Sequence, residues 1–353
     1  MQHNITLREK NNGWQVIVSY KVGRKWKQKS KQGFKRRREA KEYANELIEE
    51  LKKTITNPLD DSLKHITLQQ FYEIYQRDNK QRTTYNTFIA YNNAIKAFSP
   101  LLNMELVDIT HADILMCINA MPYSVTTKNM YLRILKSVLK YAVTTYRIIN
   151  TSPAKDIKQI KTRNKRELAV FTESECIQLL NSLKERHMSY YIACAIARYT
   201  GARYGEVLGL SWNDVDFVNR TITINKQLAK ISSNTFGIKE PKTKNSIRVI
   251  PIPPVLITIL KEYRQQQGNN YSILPLKKSN TSAINTMIRS IIKGKSFHDL
   301  RHTYATILLS NGVDIKTVSA LLGDTIDLVI KVYVHYTEEM KLKATQQVAK
   351  IFG

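Results

Sequence analysis

The sequence predicts a multidomain, mainly α-helical protein with a small β-rich N-terminal module, a helical second domain and an α+β C-terminal domain. Three observations support this prediction. A length of 353 residues is enough for two or three packed domains. Apolar residues alternate as in strands near the N-terminus and follow helical spacing over most of the remaining chain. Two polar segments divide the chain, so we expect the domains at residues 1–55, 65–157 and 165–353.

The charge of the chain favours a polyanionic partner. It has 55 Lys+Arg against 29 Asp+Glu, and a net charge of +26 is typical of proteins that bind nucleic acid. A merely solubilising surface is the alternative, although 42% hydrophobic residues are ample for packed cores. No apolar run is long enough to span a bilayer and no secretory signal is evident, so no membrane partner is expected.

The cysteines and the remaining metal-ligating residue types indicate no resident metal. Cys117, Cys176 and Cys194 are odd in number and widely spaced, and they form no Cys-x-x-Cys pair. We therefore expect reduced, buried thiols in a cytoplasmic protein. No cluster with metal-ligand spacing is visible, and no cofactor is expected.

The first segment reads as a basic hairpin followed by a helix. Residues 14–20 alternate as a strand, residues 25–29 alternate again, and Val22–Arg24 between them is typical of a hairpin turn. Residues 36–53 carry apolar side chains at helical spacing. We expect this sheet to lie against DNA, although a solvated charged hairpin is the alternative. The basic residues expected to contact phosphates are Arg24, Lys25, Lys27 and Lys29.

The second segment reads as almost wholly helical, after a linker at residues 54–64. Thr67 can cap its first helix, and apolar periodicity predicts further helices over 85–98, 112–120 and 126–146. Such apolar stripes are far more often core than ligand sites. Three basic residues on the last of these helices, Lys128, Arg133 and Lys136, could face a phosphate backbone.

The third segment follows a basic connector, residues 155–166, which either wraps DNA or is simply solvated. Thr172 and Glu175 have the spacing of a capping box, which predicts a helix. A second, apolar helix ends at Thr200–Gly201, and the turn leads to Arg203 at the start of another helix. Free backbone amides at a helix start suit an anion, and Glu206 could hold the guanidinium. A structural Arg–Glu ion pair is the alternative.

Two predicted strands, 221–224 and 246–251, flank a basic hairpin at Lys239–Lys244. Beyond them, His298–Thr306 supplies two imidazoles and a guanidinium, and Tyr333–Tyr336 supplies phenolic hydroxyls. Arginine matches phosphate oxygens, histidine exchanges protons near neutral pH, and a tyrosine hydroxyl can act as a nucleophile. Together these residue types indicate phosphoryl transfer on nucleic acid.

Five motifs occur in one order along the last half of the chain. They are Thr200–Glu206, Lys242–Lys244, His298-x-x-Arg301, Leu321-Leu322-Gly323 and Tyr333-x-His335. In this order they resemble the tyrosine recombinase family, in particular phage-type and mobile-element integrases. The resemblance covers about residues 165–353, and the two upstream segments look like the family's arm-binding and SAM-like core-binding domains.

The resemblance implies a role for each motif residue. Arg203 and Arg301 would clamp the scissile phosphate, and His298 would accept the tyrosine proton or donate to the phosphate. The general acid for the 5′ oxygen would be Lys242, with Lys244 as the competing choice. The attacking hydroxyl would form a 3′-phosphotyrosyl bond without a metal or ATP.

The attacking tyrosine is assigned by spacing. In the family pattern it lies nine residues beyond the position that follows Leu-Leu-Gly, which is Asp324 here, so Tyr333 is favoured. Tyr336 and Tyr304 are the alternatives, and Tyr304 lies on the helix predicted for the His-x-x-Arg motif.

Asp324 departs from the family, which usually places His or Trp there. A carboxylate would repel phosphate rather than donate a hydrogen bond to it. Three hypotheses follow: Asp324 orients Arg203, Arg301 or Lys242; it is protonated near DNA and donates; or the enzyme is slow.

The resemblance implies a site-specific recombinase that integrates or excises a phage or mobile element through a Holliday junction. Its partners would be double-stranded DNA attachment sites, three further copies in a homotetramer, and DNA-bending or directionality factors, at the nucleoid of a bacterial cytoplasm. The exchanged piece between copies could be residues 341–352, or that segment could fold back on its own domain. A catalytically weak or inactive DNA-binding regulator and a type IB topoisomerase-like enzyme are the alternatives. The separate basic N-terminal module favours an integrase.

Overall fold

A computed structural model describes residues 2–10, 13–22, 25–56, 63–161, 168–241, 246–274 and 281–333, together with 345, 348, 349 and 352. The chain forms two compact units, Met1–Arg163 and Asn164–Gly353. In the described part of the chain, no helix is both long and apolar enough to cross a membrane.

The N-terminal module is a three-stranded antiparallel sheet covered on one face by a helix. The strands β1 (His3–Lys10), β2 (Gly13–Val22) and β3 (Lys25–Phe34) lie in the order β1-β2-β3, and α1 spans Arg37–Thr56. Alternate residues of β2 pack against the apolar stripe of α1. The buried residues are Val16, Val18, Tyr20, Ala40, Ala44, Leu47, Ile48 and Leu51. Strand β1 was not predicted, because only two of its residues are apolar and most of it is exposed.

The register of this sheet changes the interpretation of the hairpin lysines. Lys27 lies opposite Tyr20 and Lys29 opposite Val18. Directly opposed residues share a face of the sheet, so both lysines lie on the face that α1 covers, on an exposed edge strand. The open face carries the intervening residues instead. On β3 and the adjoining end of β2 these are Trp26, Gln28, Ser30, Gln32 and Lys21. Arg24 lies outside the described residues, and so does most of the predicted turn.

The helical domain follows the predicted pattern closely. It contains α2 (Leu68–Asn79), α3 (Tyr85–Lys96), α4 (His111–Ala120) and α5 (Val125–Thr144). Thr67 caps α2 in a capping box with Gln70, which confirms the predicted helix start. The stripe on α5 is buried in one core with residues of α2, α3 and α4, as the apolar periodicity predicts.

Of the three basic residues of α5 that were predicted to face a phosphate backbone, Lys128 and Lys136 have hydrogen-bond partners within the protein. The Lys136 ammonium donates to the carbonyl oxygens of Lys155 (3.2 Å) and Ile157 (2.5 Å), and Lys128 donates to Asn119 O (3.3 Å). Asn129 exchanges two hydrogen bonds, each 2.9 Å, with the backbone of residue 160. The basic connector is therefore bound to α5 up to residue 160, and the contact of Lys136 with DNA stays a prediction. Arg133 is exposed.

The C-terminal unit is α+β. Its helices are α6 (Glu173–Arg186), α7 (Met188–Thr200), α8 (Tyr204–Gly209), α9 (Pro254–Gln267), α10 (Thr281–Ile291), α11 (Phe297–Ser310), α12 (Ile315–Leu322) and α13 (Ile326–Tyr333). One sheet has the order β4 (Val215–Asp216), β5 (Thr221–Ile224), β8 (Arg248–Pro251), and a ribbon pairs β6 (Gln227–Lys230) with β7 (Phe236–Lys239). The capping box of Thr172 and Glu175 is present as predicted. The ribbon was missed, and Lys239 ends a strand instead of beginning a hairpin tip, because both short strands are half-exposed and lack clear alternation.

A turn between α7 and α8 positions the residues of interest. Gly201 ends α7 with φ +65°, a conformation that favours glycine. A Cβ atom at this position would lie 2.6 Å from Tyr304 Cδ1 and 2.8 Å from Leu322 Cδ2. The chain between α7 and α8 can therefore pack directly against α11 and α12 only because residue 201 has no side chain.

Candidate active site

Two carboxylates hold three guanidinium groups in one cluster within the C-terminal unit. Glu206, on α8, has a side chain only 4% exposed. It accepts hydrogen bonds from two atoms of Arg248 on β8, Nη2 at 2.7 Å and Nη1 at 3.2 Å. It also accepts from Arg203 Nη1 (3.0 Å) and from the Arg203 backbone N–H (2.9 Å). Glu206 therefore fixes both the start of α8 and the guanidinium that the sequence analysis placed there.

The second carboxylate, Asp324, bridges the two arginines that the resemblance assigns to phosphate. One of its oxygens accepts from Arg203 Nη2 and the other from Arg301 Nη2, the latter at 2.5 Å. The backbone of Asp324 is held by two bonds to Ser319: its N–H donates to Ser319 O (3.1 Å), and its carbonyl accepts from Ser319 Oγ (2.6 Å). Asp324 thus joins two residues that are far apart in sequence and is itself anchored to α12.

The C-terminal end of α12 completes the cluster. Leu321 O accepts from Arg248 Nε (2.8 Å), and Leu322 O accepts from Arg301 Nη2 (2.9 Å). The last carbonyls of a helix lack intrahelical partners and attract cations, so they suit guanidinium groups. Gly323 then ends the helix in the left-handed region, with φ +66°. This arrangement explains the Leu321-Leu322-Gly323 motif: its backbone supplies acceptors, while the Leu322 side chain is buried.

Burial and neighbouring charges set the ionisation of the cluster. Burial opposes the charged form of Glu206, but hydrogen bonds and charge from Arg248, aided by Arg203, outweigh burial and lower its pKa. Burial and the charge of Arg203 lower the pKa of Arg301 from its ordinary value. A guanidinium remains protonated in proteins, so Arg301 keeps its charge. Its side chain is 2% exposed, and it is further held by Gly201 O at 2.8 Å from Nη1.

The two histidines on α11 favour the neutral form. Their rings meet edge to face with centroids 4.6 Å apart. Desolvation, followed by the charge of Arg301, lowers the pKa of His298 below its ordinary value. Desolvation, followed by His298, lowers the pKa of His302 to about 4. Because Arg301, Arg203 and Asp324 all influence His298, this imidazole lies within electrostatic reach of the cluster, and near pH 7 it is a proton acceptor.

The described residues include four of the six predicted catalytic side chains. Arg203, Arg301 and Asp324 are in contact, and His298 lies on the same helix as Arg301. The backbone of Tyr333 ends α13. Lys242, Lys244 and Tyr336 lie outside the described residues, as does the side chain of Tyr333.

Tyr304 and Arg248 differ in how well the sequence revealed them. Tyr304 is a core residue, as expected, and burial raises its pKa to about 12. The sequence analysis missed Arg248, which is 7% exposed and pairs with Glu206. The sequence could have revealed it, because Arg248 stands two residues before Ile250 in a predicted strand and so shares its face, and Ile250 is buried in the apolar core.

Three family profiles match consecutive parts of the chain. Residues 4–51 match an arm DNA-binding domain, residues 67–121 the N-terminal SAM-like domain of phage integrases, and residues 169–340 the phage integrase family. An integrase from Staphylococcus phage L54a is 27% identical over 352 residues, which cover 86% of this chain and 99% of that protein. A tyrosine recombinase XerC-like protein of Caldanaerobacter subterraneus is 30% identical over 220 residues, and this match covers 53% of this chain and about half (55%) of that protein.

The fold agrees with these matches. A solved structure of the Tn1549 transposon integrase in complex with transposon right end DNA superimposes with a TM-score of 0.67, at 20% identity. The match covers 80% of this chain and all of that one. The three profile matches and the named relatives place the chain among the tyrosine recombinases. Its catalytic domain, residues 169–340, matches the phage integrase family.

We expect Arg248→Ala to lower the free energy of unfolding by about 3–5 kcal/mol, because it leaves Glu206 buried without its principal partner. Urea denaturation of the full chain measures this loss. Lys261→Ala on α9, an exposed position, is the control and should change stability by less than about 0.5 kcal/mol. A loss below about 1 kcal/mol for Arg248→Ala would contradict the structural role of this pair.

The stability of the folded chain should also depend on His302. Its folded pKa of about 4 lies below the ordinary value of 6.5, so the unfolded chain binds the proton first. The contribution of His302 is therefore complete above pH 6.5 and is lost as the pH falls towards 4. Denaturation at pH 7 and pH 5 should show a smaller pH effect in His302→Gln than in the wild type. The exposed His187→Gln control should keep the wild-type pH effect; equal effects in all three proteins would refute this assignment.

Proposed function

We propose that the chain is an integrase that cuts and rejoins DNA through a covalent bond between a 3′ phosphate and Tyr333. The observation that carries this proposal is the pair Arg203–Arg301, held side by side by one carboxylate, with His298, whose pKa is lowered, on the same helix as Arg301. Two converging guanidinium groups suit the non-bridging oxygens of a phosphodiester, whose charge increases in the transition state. The three-part division at residues 1–55, 65–157 and 165–353 remains part of this proposal.

In the proposed reaction every proton has a carrier. The Tyr333 hydroxyl loses its proton to His298 and its oxygen attacks phosphorus, while the bond from phosphorus to the 5′ oxygen breaks. The departing 5′ oxygen takes a proton from Lys242, for which Lys244 is the alternative. The 5′ hydroxyl of another strand then attacks the phosphotyrosine and gives its proton to the same lysine, while the bond from phosphorus to Tyr333 breaks and the tyrosine oxygen takes back the proton from His298. The phosphodiester energy is conserved in the covalent bond, so no ATP is consumed.

The open face of the N-terminal sheet is the proposed reading surface for arm-type DNA. It presents Trp26, 52% exposed, with Gln28 and Lys21 beside it. Amide side chains can pair with base edges in the major groove, and a sheet fits that groove. Lys27 and Lys29, on the other face of an edge strand, are proposed to reach the flanking phosphates. Lys25 and Arg24 are proposed for the same role on the sequence alone.

The proposed assembly is a homotetramer on two double-stranded attachment sites, with a Holliday junction as intermediate. Its support is a pair of apolar residues one turn apart on α13: Ile326 and Ile330 are each more than 40% exposed. Exposed apolar residues that recur on one short helix mark an interaction surface. Exchange of the C-terminal segment between protomers, accessory DNA-bending or directionality factors, and action at the bacterial nucleoid are proposed on the family resemblance alone.

Tyr333→Phe should abolish the covalent adduct on a nicked suicide DNA substrate, since phenylalanine has no nucleophile. Gel analysis and peptide mapping detect the adduct in the wild type. Tyr336→Phe is the matched control and should still form it. An adduct that maps to Tyr336 would refute the assignment.

A supercoil-relaxation assay run beside a paired-site recombination assay separates an integrase from a topoisomerase-like enzyme. Biological activity without any adduct would indicate a non-catalytic regulator.

The single substitutions Gln28→Ala and Lys29→Ala each remove one of two neighbouring side chains, which lie on opposite faces of the sheet. Gln28→Ala should weaken binding to arm-type DNA, selected from a random pool, by about 1–3 kcal/mol and relax discrimination at one base position. Lys29→Ala should weaken binding to all sequences and lower the salt slope by about one. Fluorescence anisotropy at several salt concentrations measures both. The reverse pattern would place the reading surface on the helix-covered face.

A further inference from the structure

We infer that, in the DNA-free enzyme, the Asp324 carboxylate occupies the place of the scissile phosphate between Arg203 and Arg301, and that DNA must displace it before cleavage. This inference rests on the proposed function, because it takes these two arginines as the phosphate clamp. It goes further in making Asp324 an internal competitor of the substrate.

The hydrogen-bond pattern of Asp324 is the one a phosphodiester would make. Each carboxylate oxygen accepts from the Nη2 atom of a different arginine. A phosphodiester likewise carries one negative charge and presents two non-bridging oxygens to two guanidinium groups. A ligand with the same charge and the same acceptor pair competes for the same donors.

The donors of Arg301 are largely occupied. Both N–H groups of its Nη2 atom are used, by Leu322 O and by Asp324, and one on Nη1 donates to Gly201 O. A guanidinium has five N–H groups, so displacement of Asp324 returns a donor on each arginine to the substrate. With only 2% of the Arg301 side chain exposed, a phosphate cannot reach the Nη2 donor while the carboxylate is there.

The charge of the cluster supports the same conclusion. Three arginines and two carboxylates leave one positive charge in excess, and Asp324 offsets one of the two positive charges of the clamp. A phosphate brought beside an ionised Asp324 would be repelled by it. Rotation of the carboxylate away from the clamp exposes both positive charges to the phosphate.

A cavity beside Asp324 can accept the displaced carboxylate. The backbone of Asp324 is tied to Ser319, so the movement is a rotation of the side chain. Asp324 lines a cavity of about 790 Å³ together with Lys316, Thr317 and Thr325. The Lys316 ammonium and the two hydroxyls can receive a rotated carboxylate there, which lowers the cost of displacement.

The functional consequence is restraint of the free enzyme. Asp324 lies two residues before Ile326, where the helix that ends at Tyr333 begins. Cleavage is then slow until a correctly seated phosphate displaces the carboxylate, which protects the enzyme from reacting with phosphodiesters that are bound loosely.

The test measures binding of inorganic phosphate by calorimetry, in full-length protein carrying Tyr333→Phe so that no chemistry can occur. Asp324→Asn should bind phosphate at least tenfold more tightly than the parent. The exposed Glu262→Gln on α9, which removes the same charge outside the residues that line this cavity, should bind as the parent does. In protein that keeps Tyr333, Asp324→Asn should form the adduct with the suicide substrate faster than the wild type does. Lys316→Met should form it more slowly than the wild type.

Asp324→His, which restores a neutral donor, is measured in parallel and should also bind phosphate at least tenfold more tightly. If Asp324→Asn folds only with phosphate present, the competition is supported, because phosphate then replaces the missing anion. Unchanged phosphate affinity in folded Asp324→Asn or Asp324→His would overturn the inference. So would a tenfold loss of adduct formation in these variants, which would make Asp324 a positioning residue. Failure of the proposed function itself would appear differently, as no adduct in any variant whatever the phosphate affinity.

Discussion

The pairing of three buried or half-buried arginines with two carboxylates is the constraint on which the C-terminal unit depends. Arg203 precedes α8, Arg248 lies on β8 and Arg301 on α11, and they meet only because Glu206 and Asp324 compensate their charges away from water. Removing one partner of such a cluster leaves an uncompensated buried charge. The residues proposed for catalysis therefore also join the elements of the fold.

The same cluster limits how the site can work. A clamp for phosphate needs positive charge, yet a DNA-free protein must neutralise that charge to fold. Backbone carbonyls at the end of α12 and the two carboxylates supply this neutralisation, while Gly201 lets the α7–α8 turn approach α11 and α12 closely. The acidic residue at position 324 is consistent with this need, although the resemblance leads one to expect a neutral donor there.

In the N-terminal unit, the local sequence pattern predicted individual strands and helices, whereas the contacts between them depended on how those elements pair. Alternation over residues 14–20 predicted a strand, which is β2, because alternate side chains of a strand point to opposite faces. Which lysines of β3 share the covered face depended on the register of β2 with β3, and the hairpin lysines proved to lie on it. The partners of Lys136 and Asn129 likewise depended on the path of residues 155–160 across α5.

The sequence by itself determined the class of fold, the caps of α2 and α6, the order of the motifs and the candidates Arg203, His298, Arg301 and Tyr333. These features rest on interactions over a few residues, such as helical periodicity and capping, or on motif spacing. The tertiary structure alone decided that Asp324 bridges Arg203 and Arg301 and that Arg248 supports Glu206. The bond from Arg203 to Asp324 joins residues 121 positions apart, and no local propensity acts over that separation. Only the packing of α7, α8, α11 and α12 around Gly201 brings these side chains together.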